Sequence, residues 1–185
     1  MIKLRVWAKA QPMGWFGHEA AQYFFQYDAL WIQHAAAFPL APQFALRDEP
    51  YRGDVVKTFF ANLLPEGTPL AEVLNQMSIR NANTFELVGE MGADLPGVLS
   101  VLPEGQQPDA LQKYSKLTKE ALSARVKARA FQKPLLTSNA QTRMSLAGAQ
   151  DKMGLRYDDQ RDVLFDGVGG APTTHIAKPD SRLEK

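Results

Sequence analysis

SLAGAQDKMGLRYDDQRDVLFDGVGGAPTTHIAKP, residues 145–179, reads as a small-residue loop, a hairpin, a glycine-rich turn and a closing strand. Ser145, Ala147, Gly148 and Ala149 carry little side-chain bulk, and the segment runs straight into KMGLRY (152–157). KMGLRY and DVLF (162–165) are short strand-like runs separated by DDQR, a hairpin signal. GVGGAP (167–172) is a second turn, and TTHIAK (173–178) a third strand. Residues 141–178 are therefore expected to form a small three-stranded antiparallel sheet. Three strands bury one face but seldom stand alone, so this sheet needs a neighbour.

Upstream, Thr118 is positioned to cap a basic helix over 119–131, with Leu122, Val126 and Ala130 as its buried face. PEGQQPD (103–109) is the best linker in the chain. Before it, Val98–Leu102 reads as a strand returning to a first sheet. That sheet opens the chain, where Ile2, Leu4 and Val6 alternate with Lys3 and Arg5 at the strand period. Lys9–Gly14 reads as a turn, and the aromatic run Tyr23–Tyr27 as a second or third strand. Residues 38–53 are an irregular, proline-rich connection.

Three helices follow. Asp54 is placed as N-cap of the first, with Val55, Phe59 and Leu63 on its apolar face and Pro65 beyond its end. Thr68 followed by Pro69 opens the second, striped by Leu70, Val73, Leu74 and Met77. Asn83 with Glu86 is a capping-box pattern before Leu87, Val88 and Met91, and Gly92 is expected as the left-handed residue after the last turn. The stripes are structural core. The expected fold class is α+β, in three segments: 1–103 with a small sheet and helical group, 104–140 with a linker and basic helix, and 141–185 with the second sheet.

The 185 residues are 45% apolar and 22% charged, a globular composition large enough to bury a core. No cysteine is present, which excludes disulfides and thiolate metal sites and suits a reducing, cytoplasmic compartment. No apolar run approaches the roughly 18–20 residues that span a bilayer, so no membrane role is expected. The N-terminus lacks the pattern of a signal peptide. Charge is unevenly placed: residues 1–100 hold 7 basic and 10 acidic side chains, whereas 113–143 hold 8 basic residues against Glu120 alone. Such a stretch is a solvated helix face or an anion-attracting surface.

Candidate chemistry is sparse. His18, His34 and His175 are scattered without companions at metal spacing, and no nucleophile elbow, Walker A or dinucleotide fingerprint occurs. One constellation remains. The loop 144–152 has the slimness that lets backbone N–H groups approach a phosphate, with Lys152 adding a point charge. Lys178 ends an otherwise apolar strand, where an ammonium can reach over a cavity to nucleotide phosphates. Taken singly, the first is also an ordinary turn and the second an ordinary surface lysine. Their order, loop, hairpin and lysine-ended strand, is that of the nucleotide-covering half of a kinase N-lobe.

FFANLLPEG (59–67), FELVGEMGADLPGVLSVLPE (85–104), SLAGAQDKMGL (145–155) and PTTHIAKP (172–179) occur in the order and spacing of one family. By these motifs the chain resembles the N-terminal part of the HipA family, serine/threonine kinases that are the toxins of bacterial type II toxin–antitoxin pairs. The resemblance implies that 141–185 is a partial kinase N-lobe. It assigns ATP contacts to Ala147, Gly148, Ala149, Gln150, Asp151, Lys152 and Lys178, and a regulatory phosphorylation to Ser145. ATP and Mg2+ are the implied cofactors of the full-length parent. The implied partner is a helix-turn-helix antitoxin held by the region 1–103, with DNA reached only through it. Members run longer than this chain, which stops after the strand lysine without the catalytic aspartate or the magnesium-binding residues. Residues 1–185 alone are therefore expected to be inactive, as a fragment or truncated frame. The alternative is an interaction module that docks an antitoxin or a separate C-terminal kinase half. Direct DNA binding through 113–143 rests on charge only and would be weak and salt-sensitive.

Overall fold

The computed structural model describes residues 2–80, 82–93, 95, 98–108, 113–128, 152–168, 171 and 173–179. Among the described residues two antiparallel sheets and five helices make an α+β fold, as the hydrophobic pattern implied.

The first sheet has the order β4-β3-β2-β1-β5. Strand β1 (Ile2–Ala8) buries Leu4, Val6 and Ala8, while Ile2 at its end is exposed. Strand β2 (Gln11–Glu19) begins where a longer turn was expected. Only Lys9 and Ala10 turn, and Gln11, Pro12 and Gly14 already pair with β1. A register shift between Val6 and Trp7 sets Pro12 opposite Trp7, and Met13 is fully buried. The glycines of β2 make room: a Cβ on Gly17 would lie 2.3 Å from the Phe24 ring. Strand β3 (Gln22–Tyr27) follows, then the one-turn helix α1 (Ala29–Ile32), whose N-cap Asp28 accepts from Leu30 N. The proline-rich connection ends in the two-residue strand β4 (Tyr51–Arg52).

Helix α2 (Asp54–Ala61) differs from expectation by one residue. Its N-cap is Gly53, with Asp54 inside the first turn, where a carboxylate complements the helix dipole. The buried stripe is Val56, Phe60 and Leu64; Val55 is 46% exposed. The pattern Val-Val and Phe-Phe offers two stripes of equal spacing, and the core takes the second because Phe60 stacks on Phe16 at 3.9 Å. Helix α3 (Gly67–Gln76) starts a residue before the expected Thr68 cap. Helix α4 (Thr84–Met91) carries the capping box in full: Glu86 N donates to Asn83 Oδ1 at 3.1 Å and Asn83 N to Glu86 Oε2 at 2.8 Å.

Gly92 is not left-handed; its φ is −74°. Its smallness serves a close approach instead. A Cβ there would lie 2.3 Å from the Val88 carbonyl oxygen and 2.5 Å from that of Val101. Through this contact α4 hands the chain to β5 (Leu99–Pro103), which pairs antiparallel with β1. Phe16, Phe25, Phe44 and Phe60 fill the core between sheet and helices, with Val6, Val88 and Val101.

The second sheet has four strands, not three, in the order β6-β8-β7-β9. The extra one, β6 (Lys113–Leu117), comes from the stretch expected to hold linker and basic helix. Thr118 then caps α5 (Lys119–Ala128), accepting from Ala121 N at 3.1 Å. The expected hairpin is present as β7 (Met153–Asp158) and β8 (Val163–Val168), and β9 (His175–Ala177) pairs with β7. Leu117, Met153 and Leu155 form its own small core, flanked by Leu122, Leu164 and Ala177.

Candidate phosphate-facing end of the second sheet

Strands β7 and β9 pair Met153 with Ala177 and Gly154 with Ile176. Continued by one residue, this register sets Lys152 across from Lys178. Residues directly opposite in an antiparallel pair share a face, and alternate residues along a strand share it too. Lys152, Gly154 and Arg156 thus stand with Ile176 and Lys178 on one face. Met153, Leu155 and Ala177 turn to the other, against Leu122 of α5. The two lysines singled out from sequence flank the last pair of β7 and β9, one residue beyond each strand, in different environments. Lys152 is 8% exposed, and Lys178 is exposed. Ser145, Ala147, Gly148, Ala149, Gln150 and Asp151 lie outside the described residues.

The α5 side is locked by a buried ion pair. Arg125 Nη1 donates to Asp166 Oδ1 at 2.8 Å, and Arg125 Nη2 donates to Asp166 Oδ2. This two-pronged contact carries directionality that a lysine would lack. Asp166 is 3% exposed in the middle of β8. The basic stretch is therefore not uniformly a solvated surface: Arg125 is structural, whereas Lys119, 3.7 Å from Asp162, is exposed. Glu120, in the first turn of α5, is held below its usual pKa by its own backbone N–H and by the Thr118 hydroxyl.

The opposite face carries Lys116, Phe165 and Arg156 in one cross-strand row. The Arg156 guanidinium lies 4.4 Å from the centre of the Tyr114 ring. At the hairpin, Tyr157 Oη donates to Asp162 Oδ1 at 3.1 Å, and this carboxylate raises the tyrosine pKa. Thr174 Oγ1 accepts from Tyr157 N at 3.2 Å and contacts His175 Nδ1 at 2.8 Å, fastening the entry of β9 to β7. His18 packs on Tyr23, and the His34 ring stacks parallel to Trp31.

Sequence reasoning missed the Arg125–Asp166 pair because its members lie 41 positions apart on different elements. The sole signal was an aspartate inside an apolar strand run, VLFDGV. It also missed a groove of about 350 Å³ on α2, lined by Gln43, Asp54, Val55, Thr58, Phe59, Asn62 and Leu63. Of the apolar stripe assigned to the core, Phe59 and Leu63 do pack against it, while all three residues, Val55 included, also line this groove. Among the described residues no helix is long and apolar enough to cross a membrane.

The chain is similar to known proteins along its length. It is 33% identical over 187 residues to Y4mE of Sinorhizobium fredii, whose name places it provisionally among the kinases; the match covers 95% of this chain and 43% of that one. It is 27% identical over 143 residues to the serine/threonine-protein kinase toxin HipA of Shewanella oneidensis, covering 77% of this chain and 32% of that protein. The chain thus spans less than half the length of these relatives. Its fold matches HipA in the Shewanella oneidensis complex with HipB and operator DNA, with a TM-score of 0.69 and 23% identity over 97% of this chain and 41% of that one. Residues 4–102, which hold all but the outermost residues of the first sheet together with helices α1 to α4, match the model of the HipA N-terminal domain, and the chain belongs to that family.

Proposed function

We propose that residues 1–185 are the N-terminal part of a HipA-like serine/threonine protein kinase, the toxin of a type II toxin–antitoxin pair. In this reading, residues 113–179 supply the part of the kinase N-lobe that covers the nucleotide. The observation that supports it is the register that sets Lys152 across from Lys178 at one end of β7 and β9. The exposed ammonium of Lys178 at a strand end, beside an exposed Ile176, suits a ligand with an anionic end and a flat apolar body. Lys178 would hold ATP phosphates, and residues 147–152 would close over them. Mg2+ would arrive with the ATP and neutralise charge during transfer.

The base and metal ligands for transfer lie elsewhere in this reading, so residues 1–185 alone are expected to leave ATP unreacted. Incubation with labelled ATP tests this, with Lys178→Ala as the control. Transfer above that control would overturn it. Ser145 is the proposed regulatory site in the parent. A phosphoryl group there adds about −1.5 to −2 charge, which would repel the nucleotide or draw the loop away. Calorimetric ATP titration is expected to show weaker binding for Ser145→Asp and near-unchanged binding for Ser145→Ala. Weaker binding by the alanine variant would sink the switch.

A second, compatible role is favoured by the open face of α2. Val55, Phe59 and Leu63 lie along a groove within the family-matched region. We assign residues 1–103 the docking of a helix-turn-helix antitoxin in the cytoplasm, with DNA contacted only through it. Val55→Glu is expected to weaken co-purification of the antitoxin while leaving the fold intact. Undiminished capture would remove the groove from the interface.

A further inference from the structure

We infer that Arg156 is a base-stacking residue that sets nucleotide preference. The inference rests on the nucleotide reading above and deepens it. Arg156 shares a sheet face with Gly154 and Ile176, and this face, continued one residue beyond β7 and β9, leads to Lys152 and Lys178. At about 3.3–3.4 Å per residue it stands about 13 Å from the paired lysines. Gly154 and Ile176 occupy the row between, and Ile176 is 54% exposed. A nucleotide with its phosphates at the lysines lays its sugar and base along this row, toward Arg156.

Arg156 is built for that position. Its guanidinium lies over Tyr114 at 4.4 Å, so one face of the plane is fixed by an aromatic ring. The residue nevertheless remains exposed. A guanidinium held on one side and open on the other is a pre-organised plate for a second π system. Among the described residues no carboxylate forms an ion pair with it. Phe165, directly opposite Arg156, widens the apolar floor, and its other neighbour is Lys116. A heteroaromatic base gains from this plate; an inorganic polyphosphate, which has no ring, does not.

The test compares ATP with inorganic triphosphate in the chain at its natural length, by calorimetry, for wild type, Arg156→Leu, Arg156→Lys and Lys178→Ala. A stacking contact of about 0.5–2 kcal/mol corresponds to about a 2- to 30-fold change in affinity. Arg156→Leu is expected to weaken ATP by that factor and to leave inorganic triphosphate unchanged. Arg156→Lys keeps the charge and loses the plane, and is expected to behave like leucine. Lys178→Ala is expected to weaken both ligands. If Lys178→Ala weakens both while Arg156→Leu weakens neither, or both equally, Arg156 does not read the base. Rescue by lysine would likewise mean a charge effect and overturn the stacking. If no variant alters either ligand, the nucleotide reading itself fails. Circular dichroism of each variant checks that the second sheet is retained; should Arg156→Leu fail to fold, Arg156→Gln takes its place with the same expectations.

Discussion

Tyr27 brings a hydroxyl into the centre of the first core and satisfies it twice. It donates to the Phe44 carbonyl at 2.5 Å and accepts from Leu40 N at 2.6 Å. These two bonds pin the proline-rich connection onto β3. Tyr27→Phe removes both and strands a buried N–H and C=O, so a loss of about 1–3 kcal/mol is expected in urea unfolding. Burial pushes the Tyr27 pKa up to about 12, against 10 for a free tyrosine. The folded state thus favours the neutral phenol, and the contribution is whole below pH 10 and lost as pH rises through 12. The alkaline decline of stability between those values should be shallower in Tyr27→Phe; an unchanged slope would refute the assignment. Gly92→Ala forces a methyl against two backbone oxygens, and a loss of about 1–3 kcal/mol or more is expected. Gly92 was visible in the sequence as a residue that had to be small, but for another reason. Local pattern suggested a left-handed turn, whereas the requirement comes from β5, which lies outside any local window.

Among the elements, α4 was legible to the residue because its capping box is a local hydrogen-bond pattern. Asn83→Ala should cost about 1 kcal/mol by the same unfolding assay. Strand β6 was not legible. KYSKL shows three exposed residues and only Leu117 buried, so neither alternation nor hydrophobicity announces it; its pairing with β8 makes it a strand. What joins α5 to that strand pair is Arg125 on Asp166. Arg125→Ala leaves a carboxylate buried and unpaired, and a loss of about 3–5 kcal/mol is expected in this half of the molecule. Replacing both at once, by Arg125→Met with Asp166→Leu, should recover much of it. A double variant as unstable as the single one would show that the pair gives more than mutual neutralisation. At the proposed site, the hairpin and closing strand that carry Lys152 and Lys178 at their ends were legible from chain order, while the contact of Arg156 with Tyr114 was not. Its partner Tyr114 lies on the strand that sequence did not reveal.

At the scale of the molecule, the two sheets rest on cores of unequal size among the described residues. The first sheet buries four phenylalanines completely, Phe16, Phe25, Phe44 and Phe60. The second rests on Leu117, Met153 and Leu155 with partly buried neighbours. Hydrogen exchange should therefore show amides of β7, β8 and β9 opening at lower free energy than those of β1, β2 and β3. ATP, if it binds as proposed, should raise protection in the second sheet first. Equal protection throughout would mean that the second sheet draws on a larger buried surface than its own.

The pairing of β1 with β5 also has a consequence during synthesis. Leu4 meets Pro103 and Ala8 meets Leu99, so the partners are 91 to 99 positions apart along the chain. A ribosome adding about 5–20 residues per second needs about 5–20 s to deliver β5 after β1. For that interval β1, β2 and β3 form a nascent meander whose outer strand offers an open row of N–H and C=O groups, a template for pairing with other chains. Lys3 and Arg5 lie on that strand. In the finished protein they flank Trp15, at 3.8 and 4.3 Å from its ring. Charged side chains on an open edge disfavour pairing with other chains, so before β5 arrives Lys3 and Arg5 are expected to protect the nascent edge from aggregation.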